Sequence, residues 1–265
     1  MEIHSEARKL SDFDSFIKLF ENSRKMVVLS GAGVSTLSGI PDFRSSDGLY
    51  SKQFGHMSVE ELLDIGFFNL HPDVFYKWAK GNWYILESYE PNIIHKTLAR
   101  VEAMGKLSEG IFTQNIDSLH QRAGSQKVYE LHGSLRNGYC SNCHSWHSYE
   151  EISDMVNHDM VPVCSQCGGV IKPDIVFYGE GLDTTMLQRA KFSFSKADLV
   201  LVLGSSLVVN PAASLPFLSV QNGRFVVMVN RDKTYMDQYA VLKFKDLESF
   251  FNDFSAYLDK REQIN

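Results

Sequence analysis

The 265-residue chain has no run approaching the roughly 20 consecutive apolar residues that a membrane-spanning helix needs, so no membrane partner is expected. A surplus of positive charge is also missing. The 26 Lys and Arg stand against 32 Asp and Glu, for a formal net charge of -6, and no direct nucleic-acid binding is expected from that balance. Behind the start MEIHSEARKLSDFDSF there is no apolar h-region, so no secretory signal is read and a cytoplasmic location is expected. Internal repeats, low-complexity tracts and flexible linkers are absent as well. Cysteine is scarce. In a compartment that keeps thiols reduced, four cysteines point to metal or redox chemistry.

Hydrophobic periodicity is what the chain does have. Leu10, Phe13, Phe16, Ile17 and Phe20 recur at helical spacing, which predicts an amphipathic helix from about 11 to 23. The apolar runs KMVVLS, GIFTQ, KVYEL, DIVFY, DLVLVLG and RFVVMVN suit buried strands. Helical patterns around 94–104, 184–194 and 247–258 separate several of them. Strands alternating with helices imply an α/β fold with a Rossmann-like parallel sheet covered on both faces.

Two segments break this rhythm: an aromatic-rich, helical stretch over 47–92 and a stretch over 139–170 that holds all four cysteines. Both are read as insertions into a Rossmann-like domain of 1–46, 93–138 and 171–265, together forming a smaller zinc-binding and helical module. Most of the aromatics in 47–92 are expected to be core.

The stretch CSNCH, Cys140 to His144, matches the attachment signature of a c-type haem. A second pair, CSQC, makes the full pattern C-x2-C-x20-C-x2-C, with Cys140, Cys143, Cys164 and Cys167. A haem or a redox dithiol uses one pair and leaves the other unexplained. Two pairs on tight turns bring four thiolates to one tetrahedral zinc ion. Four protein ligands leave no open position for substrate, so one structural zinc is expected, with His144 and His147 as solvated loop residues.

Chemistry is therefore sought elsewhere. GAGVSTLSGIPDFR, Gly31 to Arg44, follows a strand and is expected to lead into a short helix, where glycines allow close backbone approach and amides face a phosphate. Its spacing, G-x-G-x5-G, is not the G-x-G-x-x-G of dehydrogenases. By itself such a loop is equally a turn that needs glycine. TQNID, ELHGS and LGSS also fall at predicted strand ends, where open α/β sheets bind ligands. Taken singly, Asp117 is equally a helix cap and His132 a satisfied buried histidine.

Taken together, GAGVSTLSGIPDFR, TQNID, LHGS, the paired C-x2-C, PDIVFYGE, GSSLVV and the Val229–Asn230 pair resemble a sirtuin, an NAD-dependent protein-lysine deacylase of the compact bacterial type, from about Leu19 to Phe250. The resemblance implies that NAD is consumed as a co-substrate. Gly31, Ala32, Gly33, Phe43 and Arg44 would contact it, with Phe43 over the nicotinamide ribose. Gln114 and His132 would address the ribose hydroxyls, while Asn115, Ile116 and Asp117 would form the nicotinamide pocket. Gly204, Ser205, Ser206 and Asn230 would hold the phosphates and the adenosine ribose.

By the same resemblance Val176, Phe177, Tyr178, Gly179 and Glu180 would bind an acyl-lysine protein or peptide. His132 would act as general base, with Asn115 beside it in the catalytic set, to yield deacylated lysine, nicotinamide and O-acyl-ADP-ribose. Mono-ADP-ribosyl transfer and a non-enzymatic NAD-binding module are the alternatives. Sirtuins selective for succinyl or malonyl lysine carry Y-x-x-R. The counterpart here, Tyr76 to Ala79, is YKWA, so a neutral acyl group is expected.

Overall fold

The structure, a computed structural model, describes residues 11–42, 48–49 and 53–264. Its strands in chain order are β1 (Met26–Ser30), β2 (Gln53–Phe54), β3 (Met57–Ser58), β4 (Gly110–Thr113), β5 (Val128–Glu130) and β6 (Gly133–Cys140). They continue with β7 (Trp146–Ser148), β8 (Ile171–Ile175), β9 (Leu199–Leu203), β10 (Phe225–Val229) and β11 (Leu242–Phe244). Six of them form one parallel sheet in the order β11-β10-β9-β1-β4-β5. The chain winds outward from β1 in both directions, so the switch point of the sheet lies at β1, between β9 and β4.

Period-two alternation builds the two faces of this sheet. Met26 and Val28 of β1 and Val227 and Val229 of β10 face one apolar cluster, whereas Val27, Leu29, Val226 and Met228 face another. On the first side lie Phe16 and Phe20 of α1 (Asp12–Asn22), Ile94 and Leu98 of α5 (Ile93–Ala103), and Phe251 and Phe254 of α10 (Leu247–Ile264). On the other lie Ala190 and Phe194 of α8 (Thr184–Lys196) and Leu215 of α9 (Leu215–Gln221). The central strands β1 and β9 are buried at every position, which is why they read as apolar runs.

A third cluster is aromatic. Phe68 of α3 (Ile65–Leu70), Phe75, Tyr76 and Trp78 of α4 (Pro72–Lys80), then Trp83 and Tyr84, pack with Phe177. It continues through Ile152 and Val156 of α7 (Tyr149–Asn157) into an antiparallel sheet of order β7-β6-β8, and takes in Cys140 and Cys164. The short helices α2 (Val59–Leu62) and α6 (Leu119–Arg122) complete the set used below.

One sequence expectation changes here. DIVFY is not a strand of the parallel sheet: β8 ends at Ile175 and pairs antiparallel with β6. Beyond it the chain turns, because the Glu180 carboxylate accepts from the Phe177 amide at 2.8 Å and the Glu180 amide donates to the Phe177 carbonyl at 3.0 Å. The short helix expected after the glycine loop takes the form of two 3-10 turns, Ala32–Val34 and Thr36–Ser38.

Candidate functional site

Every strand of the parallel sheet hands its next residues to one place. Gly31 follows β1, Gln114 and Asn115 follow β4, Gly204 follows β9, Asn230 follows β10 and Lys245 follows β11. His132 lies two residues past β5. All of these line one cavity of about 1200 Å³ at the carboxyl ends of the strands, where a switch point opens a crevice. Ala32, Gly33, Ile116, Ser205 and Ser206 share its wall, as do Val176, Phe177, Tyr178, Gly179 and Glu180. Asp117 does not line it. Phe43 and Arg44 lie outside the described residues.

The two glycine-bearing loops stand back to back. A Cβ on Gly31 would lie 2.7 Å from the Gly204 carbonyl oxygen, and one on Gly33 2.8 Å from Gly204 Cα. The Gly31 and Gly33 amides donate to the carbonyls of Leu203 and Gly204, both at 2.9 Å. The expected amide cradle is therefore different: these glycines let two loops touch, and their N–H groups are spent on protein. Gln114 crosses between the loops, its Nε2 donating to Ser205 Oγ at 2.9 Å.

Asn115 has a fixed orientation. Its Nδ2 donates to the Gly31 carbonyl at 3.2 Å and to Ser35 Oγ at 3.1 Å, and a carbonyl only accepts. Both amide hydrogens are thus directed at the loop, which leaves Oδ1 as the acceptor. Asp117 buttresses this arrangement from behind: Ser35 Oγ donates to its Oδ2 at 2.6 Å and the Leu119 amide to its Oδ1 at 2.9 Å. Burial pushes the Asp117 carboxyl up, and those two donors pull against it.

His132 is set by one bond at each end of the residue. Its Nδ1 meets the Gln114 carbonyl at 3.1 Å; since that oxygen only accepts, Nδ1 carries the proton and Nε2 keeps its lone pair. Burial holds the imidazole below its ordinary pKa, so the neutral form is favoured. The His132 carbonyl accepts from the Val176 amide at 2.9 Å, tying the histidine to the PDIVFYGE stretch. The next residue must be glycine. Gly133 has φ +76, and a Cβ there would lie 2.0 Å from the Asp174 carbonyl oxygen.

The far end of the cavity is apolar, walled by Leu63, Trp83, Ile116, Ile175 and Phe177, all packed in or against the aromatic cluster. Lys172 braces this wall. Its ammonium donates to the Ile175 carbonyl at 2.7 Å, pairs with Glu180 at 2.9 Å and lies 4.3 Å from the centre of the Phe177 ring. Leu63 and Trp83 line the cavity although neither stands in a glycine loop or a polar motif, and Arg231, Asp232 and Lys245, to which the sequence assigns no role, line it as well. The sequence signal for Lys245 is its place after β11, whose three residues, LKF, are too short to read as a strand.

The four cysteines meet outside this cavity. Their sulfurs all lie within 4.8 Å of one another, with Cys140–Cys167 at 3.4 Å and Cys143–Cys164 at 3.7 Å. A tetrahedron of thiolates about 2.3 Å from zinc has edges of about 3.8 Å, so the set fits that ion. The amides of Asn142 and Gln166 approach Cys140 and Cys164 Sγ at 3.4 Å, as donors to thiolate do. His147 departs from expectation. It is buried rather than solvated, with Nε2 3.1 Å from Ser145 Oγ and Nδ1 3.5 Å from Glu151. It supports Ser145, itself 3.2 Å from Cys164 Sγ. His144 is exposed.

The chain is similar to known proteins. The chain is 44% identical over 229 residues to the NAD-dependent protein deacetylase of Thermotoga maritima, covering 86% of this chain and 91% of that one. It is 36% identical over 252 residues to the NAD-dependent protein deacetylase of Sulfolobus acidocaldarius, covering 95% and 94%. Among solved structures, Sir2Tm bound to a propionylated peptide superposes with a TM-score of 0.83 at 39% identity, over 95% of this chain and 99% of that one. A Sir2 with deacetylated p53 peptide and 3′-O-acetyl ADP ribose gives 0.85 at 41%, over 94% and 98%. The Sir2 family model matches residues 31–211, and this chain belongs to the Sir2 family.

Proposed function

We infer that this chain is an NAD-dependent protein-lysine deacetylase that transfers the acyl group from lysine to ADP-ribose and releases nicotinamide. The observation that carries this reading is His132: a neutral imidazole with Nε2 free to accept, in a cavity walled by the strand-end loops on one side and PDIVFYGE on the other. NAD supplies the electrophilic ribose carbon and is consumed. His132 takes a proton from a ribose hydroxyl at Nε2, a task suited to a histidine that is neutral at working pH. Asn115 Oδ1 is the acceptor for the nicotinamide end, together with Ile116, and Asp117 holds that corner through Ser35.

Gly31, Ala32 and Gly33 contact the cofactor, with Phe43 and Arg44 assigned to it by resemblance. Gln114 addresses the ribose. Gly204, Ser205, Ser206 and Asn230 hold the phosphates and adenosine end, and Lys245 and Arg231 extend that group as the cations of the cavity wall. The acyl-lysine peptide lies along Val176–Glu180 as an added strand, with its acyl group against Leu63, Trp83 and Phe177.

A neutral acyl group fits this end. Tyr76 and Ala79 do not line the cavity: Ala79 is buried, and Tyr76 donates its hydroxyl to the Ile171 carbonyl at 2.5 Å. Faster turnover of a succinyl-peptide than of an acetyl-peptide would sink the neutral assignment.

The first experiment incubates the protein with NAD and an acetyl-lysine peptide and follows all products by mass spectrometry, with His132→Ala alongside. Peptide-dependent O-acetyl-ADP-ribose that disappears in the variant is expected. ADP-ribose attached to protein, with the peptide still acetylated, would instead mean mono-ADP-ribosyl transfer. No consumption of NAD would leave a binding module.

A further inference from the structure

Two buried histidines stand behind the glycine loop and take no part in the chemistry above. His95, in the first turn of α5, is fully buried, and His120, in α6, is 1% exposed. Their ring centres are 4.8 Å apart. His95 Nε2 and His120 Nδ1 are buried nitrogens without a hydrogen-bond partner. An orphaned buried polar atom is costly, and two of them on touching rings need a physical explanation.

Their other nitrogens give one. The Asn92 amide donates to His95 Nδ1 at 3.3 Å, so in the neutral ring Nε2 carries the proton. His120 Nε2 lies 2.9 Å from Ser30 Oγ. With its proton on Nε2, His120 has a lone pair at Nδ1. The two orphaned nitrogens are then a donor and an acceptor on adjacent rings, complementary groups that make no direct bond and that one bridging water would satisfy. Burial favours the neutral form of both rings.

Both ends of this chain of contacts grip the same loop. Ser30 is the last residue of β1, immediately before Gly31, and its carbonyl accepts from the Gln114 amide at 2.9 Å. At the other end Asn92 Nδ2 donates to the Val34 carbonyl and to Ser38 Oγ, both at 2.9 Å. The polar path thus runs from the front of the loop through His120 and His95 to its two 3-10 turns, entirely behind the cavity wall.

We propose that His95 and His120 act as a matched neutral pair, positioning residues that fix the Gly31–Gly39 loop for NAD. This rests on the assignment of that loop to NAD. The pair touches neither the cavity nor the PDIVFYGE stretch, so its loss weakens use of NAD and leaves use of the peptide unchanged.

The test measures the dissociation constant for NAD by calorimetry, and both KM values by steady-state kinetics, in the wild type, His120→Leu, His120→Gln and Ser30→Ala. His120→Leu is expected to raise the NAD constants about tenfold with peptide KM within about twofold, the scale of one lost buried hydrogen bond. His120→Gln keeps an amide at the Nε2 position and restores most of the loss. Ser30→Ala, the mildest change, shifts NAD by about threefold in the same direction and decides the matter if His120→Leu does not fold. Unchanged NAD constants, an equal rise in both KM values, or no recovery in His120→Gln would each overturn the pairing. A wild type that neither binds nor consumes NAD would overturn the functional assignment itself, a separate result.

Discussion

The parallel-sheet region and the small aromatic region solve the same problem, burying enough surface to fold, by different means. In the first, strands of three to five residues, aliphatic at the centre of the sheet, are covered by helices on both faces, and two large clusters meet across the sheet. In the second, a three-stranded sheet and short helices rely on large rings, with Phe75 in contact with Phe68, Tyr76, Trp78, Trp83 and Phe177. Two of the four cysteines sit inside that aromatic cluster. One region is held by chain-wide layering. The other depends on a few large side chains and a metal clamp, because a small unit buries too little surface to stand alone. The cavity lies between them, with polar strand-end residues on one wall and apolar rings on the other.

The largest expected effect separates the two regions directly. Removing zinc with a chelator, or replacing Cys140 by Ser, should abolish protection from amide exchange over residues 139–170, while the six-stranded sheet keeps its slow amides. Uniform exchange across both regions would break the comparison, and unchanged exchange over 139–170 would deny the metal its structural part. The converse change, Phe254→Ala, removes a fully buried ring from the sheet's first face. It should cost about 3–5 kcal/mol in denaturant unfolding and leave zinc stoichiometry intact.

Smaller effects test the wall between the regions. Lys172→Met keeps the aliphatic stem and removes the donors to Ile175 and Glu180. Peptide KM should rise about fivefold with the NAD KM unchanged, the scale of one charge-assisted bond lost. An equal change in both constants would place Lys172 in general stability instead. The smallest effect is on pH. Because burial lowers the His132 pKa, the folded enzyme keeps a neutral base to below the ordinary 6.5, and protonation removes it only as pH falls further. The acid limb of kcat/KM for peptide should therefore have its midpoint below 6.5; a midpoint above that value would contradict the environment described for the ring.

Much of the fold was legible in the sequence because buried parallel strands cannot hide. LVLVL and FVVMV are apolar at every position, and MVVLS at all but its last, since both faces are covered. The zinc set was equally legible, because two C-x2-C turns impose local geometry whatever surrounds them. DIVFY misled for a related reason: its apolar residues face the aromatic cluster and the cavity, and composition alone does not distinguish those from the faces of a sheet. His147 was placed in solvent because a histidine in a cysteine loop carries no sign of what packs on it; Ile152 and Val156 of α7 belong to the cluster beneath that loop.

By itself the sequence determined the local chemistry: strand runs followed by polar or glycine residues, the four thiolates, and a histidine where a base is needed. These depend on residue type and short spacing, which the chain carries before it folds. Only the tertiary structure decided which strand ends meet. It gave the Gly31 and Gly33 amides to protein carbonyls, turned Asn115 Oδ1 away from the loop, put Asp117 behind the wall, and brought Lys245 and Trp83 into one cavity. Contacts between residues about 80 to 170 positions apart are set by the strand order and by the packing of two regions on each other, and no local pattern encodes them.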